Sequence, residues 1–201
     1  MVIKVKPMGM YQTNCYILSV NNQDFIIDPG VDAASWITKN VKNPIAILNT
    51  HGHFDHVWSN AEISKKFNIP IYCPKDDAFM LENDPFGYGT PKSKANYLVK
   101  PDSKITIEKS KFTFWHFPGH TPGNSVIEFN DIWFSGDFLF RDSIGRWDFK
   151  YSNKQEMLKS LIKVKRFNKI NKKLLPGHEK ESMLFRELKH IDYWINIVKN
   201  S

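Results

Sequence analysis

The sequence predicts an α/β protein of the four-layer αββα sandwich class, with two mixed sheets packed face to face and helices outside. Two observations lead to this class. Strand-like patterns dominate both halves of the chain, and helical patterns close each half. No linker-like stretch separates the halves, and 201 residues suffice for one sizeable core. We therefore predict a single domain over residues 1–201.

Apolar alternation and short apolar runs predict the strands of the first half. These strands are Val2 to Lys6, Cys15 to Val20, Asp24 to Ile27, Ile45 to Leu48 and Ile71 to Cys73. Helical composition predicts the segments Asp32 to Asn40, Val57 to Phe67 and Lys75 to Leu81. The segment from Glu82 to Pro101 is rich in proline and glycine and is predicted to be a loop. Its length suits a lid over a binding site, although an ordinary surface loop is the alternative.

The second half repeats the pattern with further strands and two helices. The strands are Lys104 to Ile107, Phe112 to Phe117, Ser125 to Phe129, Ile132 to Ser135 and Lys173 to Leu175. The helices are Ser152 to Phe167 and Glu181 to Val198. Each half thus ends in helices that can cover a sheet.

The formal net charge of +7 comes from the last quarter of the chain. Residues 150–201 carry 13 Lys/Arg and 5 Asp/Glu, a net +8, whereas residues 1–149 carry 15 and 16, a net −1. Lysines at this spacing usually decorate a solvated face. A surface that attracts anions is the alternative.

The two cysteines, Cys15 and Cys73, lie in apolar strand-like runs and are expected to be buried, reduced thiols. No apolar run approaches the roughly 20 residues of a membrane span. The alternating start of the chain indicates a strand rather than an export signal. We expect a cytoplasmic protein that acts on a small molecule, with no membrane partner and no nucleic acid.

The segment His51-Gly52-His53-Phe54-Asp55-His56 places three imidazoles and a carboxylate within six residues. It follows the predicted buried strand Ile45 to Leu48 directly. Side chains at 51 and 53 can leave an extended backbone on the same side, while Asp55 and His56 return from the start of the next helix. Four metal-ligand side chains are therefore expected to converge.

Three more candidate ligands follow, each in a glycine-containing turn at the end of a predicted strand. They are His120 in Pro-Gly-His, Asp137 in Ser-Gly-Asp and His178 in Pro-Gly-His. Glycine lets the backbone bend sharply beside a ligand. Five histidines and two aspartates are more ligands than one tetrahedral zinc can bind. They divide naturally into two sites that share a carboxylate.

The order HxHxDH, GH, GD and PGH resembles the metallo-β-lactamase fold superfamily from the first strands to His178. The resemblance implies two divalent metal ions, with zinc expected first and iron or manganese as alternatives. The implied ligands are His51, His53 and His120 for the first ion, Asp55, His56 and His178 for the second, and Asp137 as the bridge. Asp28 resembles the family's buried aspartate, which hydrogen-bonds the loop that carries the ligands.

The implied reaction is hydrolysis by a hydroxide that bridges the two metals. Asp55 is also expected to orient this nucleophile and to handle its proton. The enzyme class predicted by the resemblance is a metallo-hydrolase.

Within the superfamily, the segment from Gly136 to Arg146 is similar to the GDxLF and GR motifs of short glyoxalase II-like hydrolases. That similarity implies a thioester substrate, such as S-lactoylglutathione or a related acyl thioester. It makes Arg146 a candidate substrate anchor, with Arg141 and Tyr88 as further candidates. An alternative for Arg146 is a structural ion pair with Asp142 or Asp148.

Two other reactions remain open at this point. The GRxD pattern that begins at Gly145 also resembles persulfide dioxygenases, which use a single iron. A metal-dependent phosphodiesterase or nuclease would keep the same ligands and would benefit from the basic C-terminal quarter.

Overall fold

The computed structural model describes residues 1–201. Contacts between Cα atoms divide the chain into two compact units, Met1–Lys100 and Pro101–Ser201. Each unit has a six-stranded sheet of its own. A single domain over residues 1–201 stays a prediction.

The sheet of the first unit is mixed, and its strands follow one another in chain order. They are β1 (Val2–Met8), β2 (Thr13–Val20), β3 (Gln23–Ile27), β4 (Pro44–Leu48), β5 (Ile71–Pro74) and β6 (Tyr97–Val99). The first three strands pair antiparallel, and β3 to β6 pair parallel. Ala46, Ile47 and Leu48 on β4 are fully buried, as expected for a central parallel strand. The segment that leaves β4 therefore starts from a fixed point at the carboxyl end of the parallel strands.

Four short helices complete the first unit. They are α1 (Ala33–Asn40), α2 (Phe54–Val57), α3 (Asn60–Phe67) and α4 (Ala78–Asn83), the last preceded by a 3-10 turn at Lys75–Asp77. Ile37 of α1 and Ile63 of α3 pack with Ile26, Ile47 and Ile71 of the sheet in one apolar cluster. This cluster holds the helices against the sheet and fixes both ends of the segment between β4 and α3.

The second unit contains the other six-stranded sheet and a two-stranded ribbon. The strands in chain order are β7 (Ser103–Ile107), β8 (Ser110–His116), β9 (Ser125–Phe129), β10 (Ile132–Gly136), β11 (Leu139–Phe140), β12 (Ser143–Ile144), β13 (Lys173–Pro176) and β14 (Ser182–Met183). The sheet order is β14-β13-β10-β9-β8-β7, and β11 pairs with β12. Only the β10–β13 pair is parallel, so this sheet is also mixed.

Three helices belong to the second unit: α5 (Lys154–Val164), α6 (Leu184–Leu188) and α7 (Ile191–Asn200). The side chain of Asn153 caps α5 by accepting a 3.0 Å hydrogen bond from the backbone N–H of Glu156. Met157 and Leu161 of α5 share an apolar cluster with Val198 of α7. None of the seven α-helices combines the length and the apolar character that a membrane crossing requires.

The predicted helix from Val57 to Phe67 is wrong in its start and its continuity, because α2 begins at Phe54 and a break separates it from α3. Ser59 explains the break. Its backbone N–H donates to the Pro29 carbonyl at 2.9 Å, and its hydroxyl donates to the Gly30 carbonyl at 2.7 Å. This N–H thus bonds to a distant carbonyl, whereas in a continuous helix it would bond to the carbonyl four residues earlier.

Two other predictions are wrong in part. The loop predicted from Glu82 to Pro101 contains strand β6, which pairs parallel with β5. The helix predicted from Glu181 to Val198 is divided into β14, α6 and α7, because Ser182 and Met183 pair with β13. The ribbon of β11 and β12 was not predicted, since two-residue strands leave no periodic pattern.

Candidate metal centre

Polar side chains are unusually concentrated and buried in the segment between β4 and the end of α2. The buried members are Asn49, Thr50, His51, His53, Asp55 and His56, none more than 8% exposed. Burial of polar groups costs free energy unless hydrogen bonds or a metal satisfy them. This segment is therefore built around polar contacts, not around an apolar core.

The donor atoms of the first unit converge as the sequence predicted. His51 Nε2 lies 3.2 Å from His53 Nδ1, and His56 Nε2 lies 3.5 Å from Asp55 Oδ2. The rings of His51 and His56 are 4.1 Å apart between centroids. The structure thus brings together the four ligand candidates that precede α3.

Asp28 lies behind this cluster and fixes it. One carboxylate oxygen accepts the Thr50 backbone N–H at 2.8 Å, and the other accepts the Thr50 hydroxyl at 2.6 Å. The same second oxygen lies 3.0 Å from His56 Nδ1. Because Nδ1 faces Asp28, the Nε2 atom of His56 faces the other ligand candidates, which is how a metal-ligating histidine is usually oriented.

Sequence reasoning missed two other buried residues that hold this segment. The Thr13 hydroxyl, at the start of β2, donates to Asp55 Oδ2 at 2.6 Å. The carboxylate of Asp77 accepts the Gly52 N–H at 2.9 Å, between the first two histidines. Asp77 is fully buried. These contacts join residues 42 and 25 positions apart, so no spacing pattern in the sequence points to them.

The second unit holds the other three ligand candidates around one carboxylate oxygen. Asp137 Oδ2 lies 3.4 Å from His120 Nε2 and 3.3 Å from His178 Nε2. Asp137 and His120 are buried, and His178 is partly exposed, with 23% of its side chain accessible. An aspartate between two imidazoles suits a carboxylate that bridges two ions.

The turn that carries His120 is held on the first turn of α5. His120 Nδ1 lies 2.8 Å from the Arg146 carbonyl, so Nε2 faces Asp137. The Ser152 hydroxyl donates to the His120 carbonyl at 2.7 Å. A Cβ atom on Gly119 would lie 2.4 Å from the Cα atom of Met157, so only glycine allows this approach.

The donor sets of the two units fit divalent metal ions. Each unit presents buried imidazole nitrogens together with a carboxylate, and the opposite side of His56 and of His120 is held by a carboxylate or a carbonyl. Imidazole with carboxylate is the donor combination of hydrolytic zinc and iron sites.

The predicted substrate contacts lie in more exposed positions. Arg146 forms a two-point hydrogen-bonded ion pair with Asp148, at 2.8 and 2.7 Å, and its side chain is 64% exposed. This pair raises the pKa of Arg146 and lowers the pKa of Asp148. Arg141 is exposed, and Tyr88 is 57% exposed. The structure thus places Arg146 in one of the ion pairs considered from the sequence.

The two cysteines are buried and free, as expected. Burial raises the pKa of the Cys15 thiol well above its ordinary value, and the Asp28 carboxylate adds to the increase. Burial likewise raises the pKa of Cys73, with a contribution from Asp77. Neutral buried thiols are neither good nucleophiles nor metal ligands.

The metallo-beta-lactamase superfamily matches this chain over residues 8–178. The chain therefore belongs to the metallo-β-lactamase superfamily. The predicted fold class is confirmed: it is the α/β fold of this superfamily, with two mixed sheets and helices. Hydrolase chemistry with bound metal is the general character of the group.

Two curated relatives illustrate the similarity. An uncharacterized protein of Mycobacterium tuberculosis is 32% identical over 204 residues, covering 89% of this chain and 91% of the relative. The hydroxyacylglutathione hydrolase GloC of Haemophilus influenzae is 30% identical over 175 residues, covering 80% of this chain and 82% of the relative.

Solved structures give the same fold. The BLEG-1 B3 metallo-beta-lactamase matches with a TM-score of 0.85 and 29% identity, covering 96% of this chain and 99% of the other. TTHA1623, solved in a di-iron-bound form, matches with a TM-score of 0.71 and 30% identity, covering 90% and 93%. ETHE1 from Myxococcus xanthus matches with a TM-score of 0.79 and 20% identity, covering 100% and 91%, which establishes the fold alone.

Proposed function

We propose that this superfamily hydrolase cleaves an acyl thioester, such as S-lactoylglutathione or a related compound, and that it uses two divalent metal ions. The substrate class is supported by the similarity to a hydroxyacylglutathione hydrolase over about four fifths of both chains. The use of two ions is supported above all by Asp137, whose Oδ2 atom lies within 3.4 Å of two imidazole nitrogens.

The proposed ligands follow the superfamily pattern. The first ion is held by His51, His53 and His120, the second by Asp55, His56 and His178, and Asp137 is shared. Zinc is the metal we expect first, and iron remains open because a related protein has been solved with di-iron. Manganese is the third candidate, since carboxylate ligands suit it.

When bound, the metal ions supply a water of lowered pKa and polarise the scissile carbonyl. Asp55 is the proposed general base. The Thr13 hydroxyl holds Asp55 Oδ2 in place, so the carboxylate is oriented before substrate arrives. Asp28, through Thr50 and His56, keeps the ligand loop in one conformation.

Arg146 is the proposed anchor for a carboxylate on the thiol part of the substrate, with Arg141 and Tyr88 as further contacts. The Arg146 guanidinium lies 4.3 Å from the centre of the Phe149 ring, and it is exposed enough to accept a second anion beside Asp148. A substrate carboxylate would share or replace this ion pair.

The basic C-terminal quarter offers little support for a nucleic-acid substrate. Five of its lysines form ion pairs with carboxylates of the same unit: Lys159, Lys163, Lys165, Lys172 and Lys173. Two of these carboxylates, Asp102 and Glu128, lie outside the quarter, so the pairs offset two of its eight excess positive charges. We propose a small-molecule enzyme, and we place it in the cytoplasm because its thiols are free.

The decisive experiment combines metal analysis with a panel of substrates. We expect close to two metal ions per chain and hydrolysis of S-lactoylglutathione or a simpler acyl thioester. Exhaustive chelation should abolish this activity, and added zinc or iron should restore it.

Other outcomes would replace the proposal. One iron per chain, with oxygen consumed in the presence of glutathione persulfide, would identify a dioxygenase. Cleavage of a phosphodiester without thioester cleavage would identify a nuclease or phosphodiesterase. Full thioesterase activity in metal-free protein would disprove the metal mechanism.

A further inference from the structure

An aromatic surface lies beside the candidate metal ligands of the first unit, and the proposed function uses only one of its residues, Tyr88, as a substrate contact. It consists of Tyr11, Phe54, Phe86 and Tyr88 and is called the aromatic wall below. Tyr11 is 50% exposed and Tyr88 is 57% exposed, while the two phenylalanines are partly buried. Contiguous exposed apolar patches on a protein surface often mark binding sites.

Ring contacts make the aromatic wall one continuous surface. Phe54 is its centre, with ring centroids 5.3 Å from Tyr11 and 4.5 Å from Tyr88. Phe86 and Tyr88 lie 6.2 Å apart and nearly parallel, at an angle of 14°. Three separate segments, namely the β1–β2 turn, α2 and the loop after α4, therefore contribute to the same face.

The aromatic wall reaches the metal ligands directly. The Phe86 ring packs edge to face on His53, with centroids 5.2 Å apart. Phe54 lies between His53 and Asp55 in the sequence, so its backbone is fixed by the ligand loop itself. A group that rests on this wall is thus placed next to the reacting bond.

The loop that carries Phe86 and Tyr88 is held in its conformation by Asp84. This carboxylate accepts the Gly89 N–H at 2.8 Å, the Thr90 hydroxyl at 2.9 Å and the Tyr88 N–H at 3.3 Å. Three hydrogen bonds to one side chain hold the loop without any contact from a substrate. The two rings are therefore presented in advance, which reduces the entropy cost of binding.

The chemistry of the aromatic wall defines its occupant. Its four side chains bear no charge, so it offers no ion pair to the carboxylates of a glutathione moiety, and only the two tyrosine hydroxyls could donate hydrogen bonds to them. Aromatic faces and edges favour flat, apolar groups through stacking and burial. We propose that the aromatic wall binds the acyl group of the substrate, and that the enzyme prefers thioesters with an aromatic or large apolar acyl group over those with a small one.

This inference rests on the proposed thioesterase function for its choice of substrates, so the test includes a binding measurement that needs no reaction. The metal-loaded protein is assayed with N-acetylcysteamine thioesters that differ only in the acyl group, benzoyl or acetyl. The same protein is titrated by calorimetry with two thioethers that cannot be hydrolysed, N-acetyl-S-benzylcysteamine and N-acetyl-S-methylcysteamine.

Tyr88→Ala is the test variant, and Tyr193→Ala is the matched control, because Tyr193 is 58% exposed but lies on α7 in the second unit. In the wild type we expect the benzoyl substrate and the benzyl thioether to be preferred by about tenfold or more. Tyr88→Ala should lose most of this preference in both measurements, whereas Tyr193→Ala should keep it.

The outcomes separate the two proposals. Equal hydrolysis of the benzoyl and acetyl substrates would overturn the proposed role of the aromatic wall and leave the thioesterase proposal intact. If no thioester is hydrolysed but the benzyl thioether is preferred and this preference depends on Tyr88, the thioesterase proposal is overturned and the proposed role of the aromatic wall stands. Equal binding of the two thioethers, or the same acyl-group preference in Tyr88→Ala and Tyr193→Ala, would refute the proposed role of the aromatic wall whatever the reaction is.

Discussion

At the scale of single residues, a proposed catalytic group is oriented by a neighbour far away in the sequence. The Thr13 hydroxyl donates to Asp55 Oδ2 at 2.6 Å, and both residues are buried. A hydrogen bond to a charged acceptor contributes about 1.5–3 kcal/mol, and more is lost when a buried charge is left without its donor. Thr13 is therefore a positioning residue for Asp55.

Replacing Thr13 should disturb metal binding more than folding. Thr13→Val keeps the shape of the side chain but removes the donor, so we expect one of the two proposed ions to bind about 10–100-fold more weakly. Metal content after dialysis against a competing chelator measures this effect. Thr13→Ser, which retains the hydroxyl, should restore wild-type metal content. Wild-type affinity in Thr13→Val would show that the hydrogen bond has no positioning role.

The two thiols should be inert in the native protein. Cys15 and Cys73 have no exposed surface, and burial raises the pKa of both. We expect no reaction with Ellman's reagent at pH 8 until denaturant is added, and then the reaction of both thiols. Rapid labelling without denaturant would show that the strands carrying the thiols open readily.

Candidate functional residues were predictable where several metal-ligand side chains lie close together in the sequence, and not elsewhere. His51, His53, Asp55 and His56 are recognisable because four ligand types fall within six residues. Thr13 and Asp77 are ordinary in the sequence, since their roles depend on which strands and turns become neighbours in the folded chain.

At the scale of elements, the loop from Asp84 to Thr90 depends on one carboxylate. The slight burial of Asp84 opposes ionisation, but hydrogen bonds from Thr90, Gly89 and Tyr88 outweigh it and lower the pKa. The ionised form is therefore the one that the folded loop stabilises. This stabilisation is present above the ordinary pKa of an aspartate and is lost as the pH falls through the lowered value.

Removing this carboxylate should release the loop. In Asp84→Ala we expect the protection factor of the Gly89 amide to fall about tenfold at neutral pH, because its hydrogen-bond acceptor is gone. The wild type should show the same loss only in strong acid. Hydrogen exchange followed by NMR measures both effects. Glu82→Ala, an exposed change near the end of α4 and just before the loop, serves as the control. Unchanged protection in Asp84→Ala would mean that other contacts hold the loop.

Most elements were predictable because their apolar periodicity matches their burial. The β11–β12 ribbon was missed because its strands are too short for a periodic pattern, and two of the other failures come from competition with distant partners. The break between α2 and α3 follows from bonds between Ser59 and the turn at Pro29, and β14 follows from pairing with β13. Local propensity carries no information about either partner.

At the scale of the whole molecule, the positive charge of the basic C-terminal quarter is less available to bind anions than its composition indicates. Its paired lysines have their carboxylate partners within the second unit, including Asp102 and Glu128 from the more acidic part of the chain. Exposed pairs of this kind contribute little to stability. However, these pairs weaken the positive electrostatic potential that a polyanion would meet at this surface, so that it is lower than a net charge of +8 implies.

The protein should accordingly bind nucleic acid weakly. We expect a Kd weaker than about 10⁻⁴ M for duplex DNA or RNA near physiological salt. Fluorescence anisotropy with labelled duplexes from 50 to 200 mM salt measures this. Tight binding with a steep salt dependence would instead favour the nuclease interpretation.

The order of strands in the two sheets was only partly predictable. Short turns predict the pairs β7–β8 and β9–β10, since antiparallel strands joined by tight turns pair in sequence order. The place of β13 beside β10 could not be predicted, because the chain first forms the β11–β12 ribbon and α5.

Two glycines have a practical consequence for laboratory evolution of this enzyme. A Cβ atom on Gly30 would lie 2.2 Å from the carbonyl oxygen of Asp55, and one on Gly145 would lie 1.7 Å from that of Asp137. Each unit thus has one position where the backbone of an aspartate that we propose as a metal ligand leaves no room for any side chain. A mutant library aimed at new substrates should keep both codons invariant and place its diversity at positions 86 and 88.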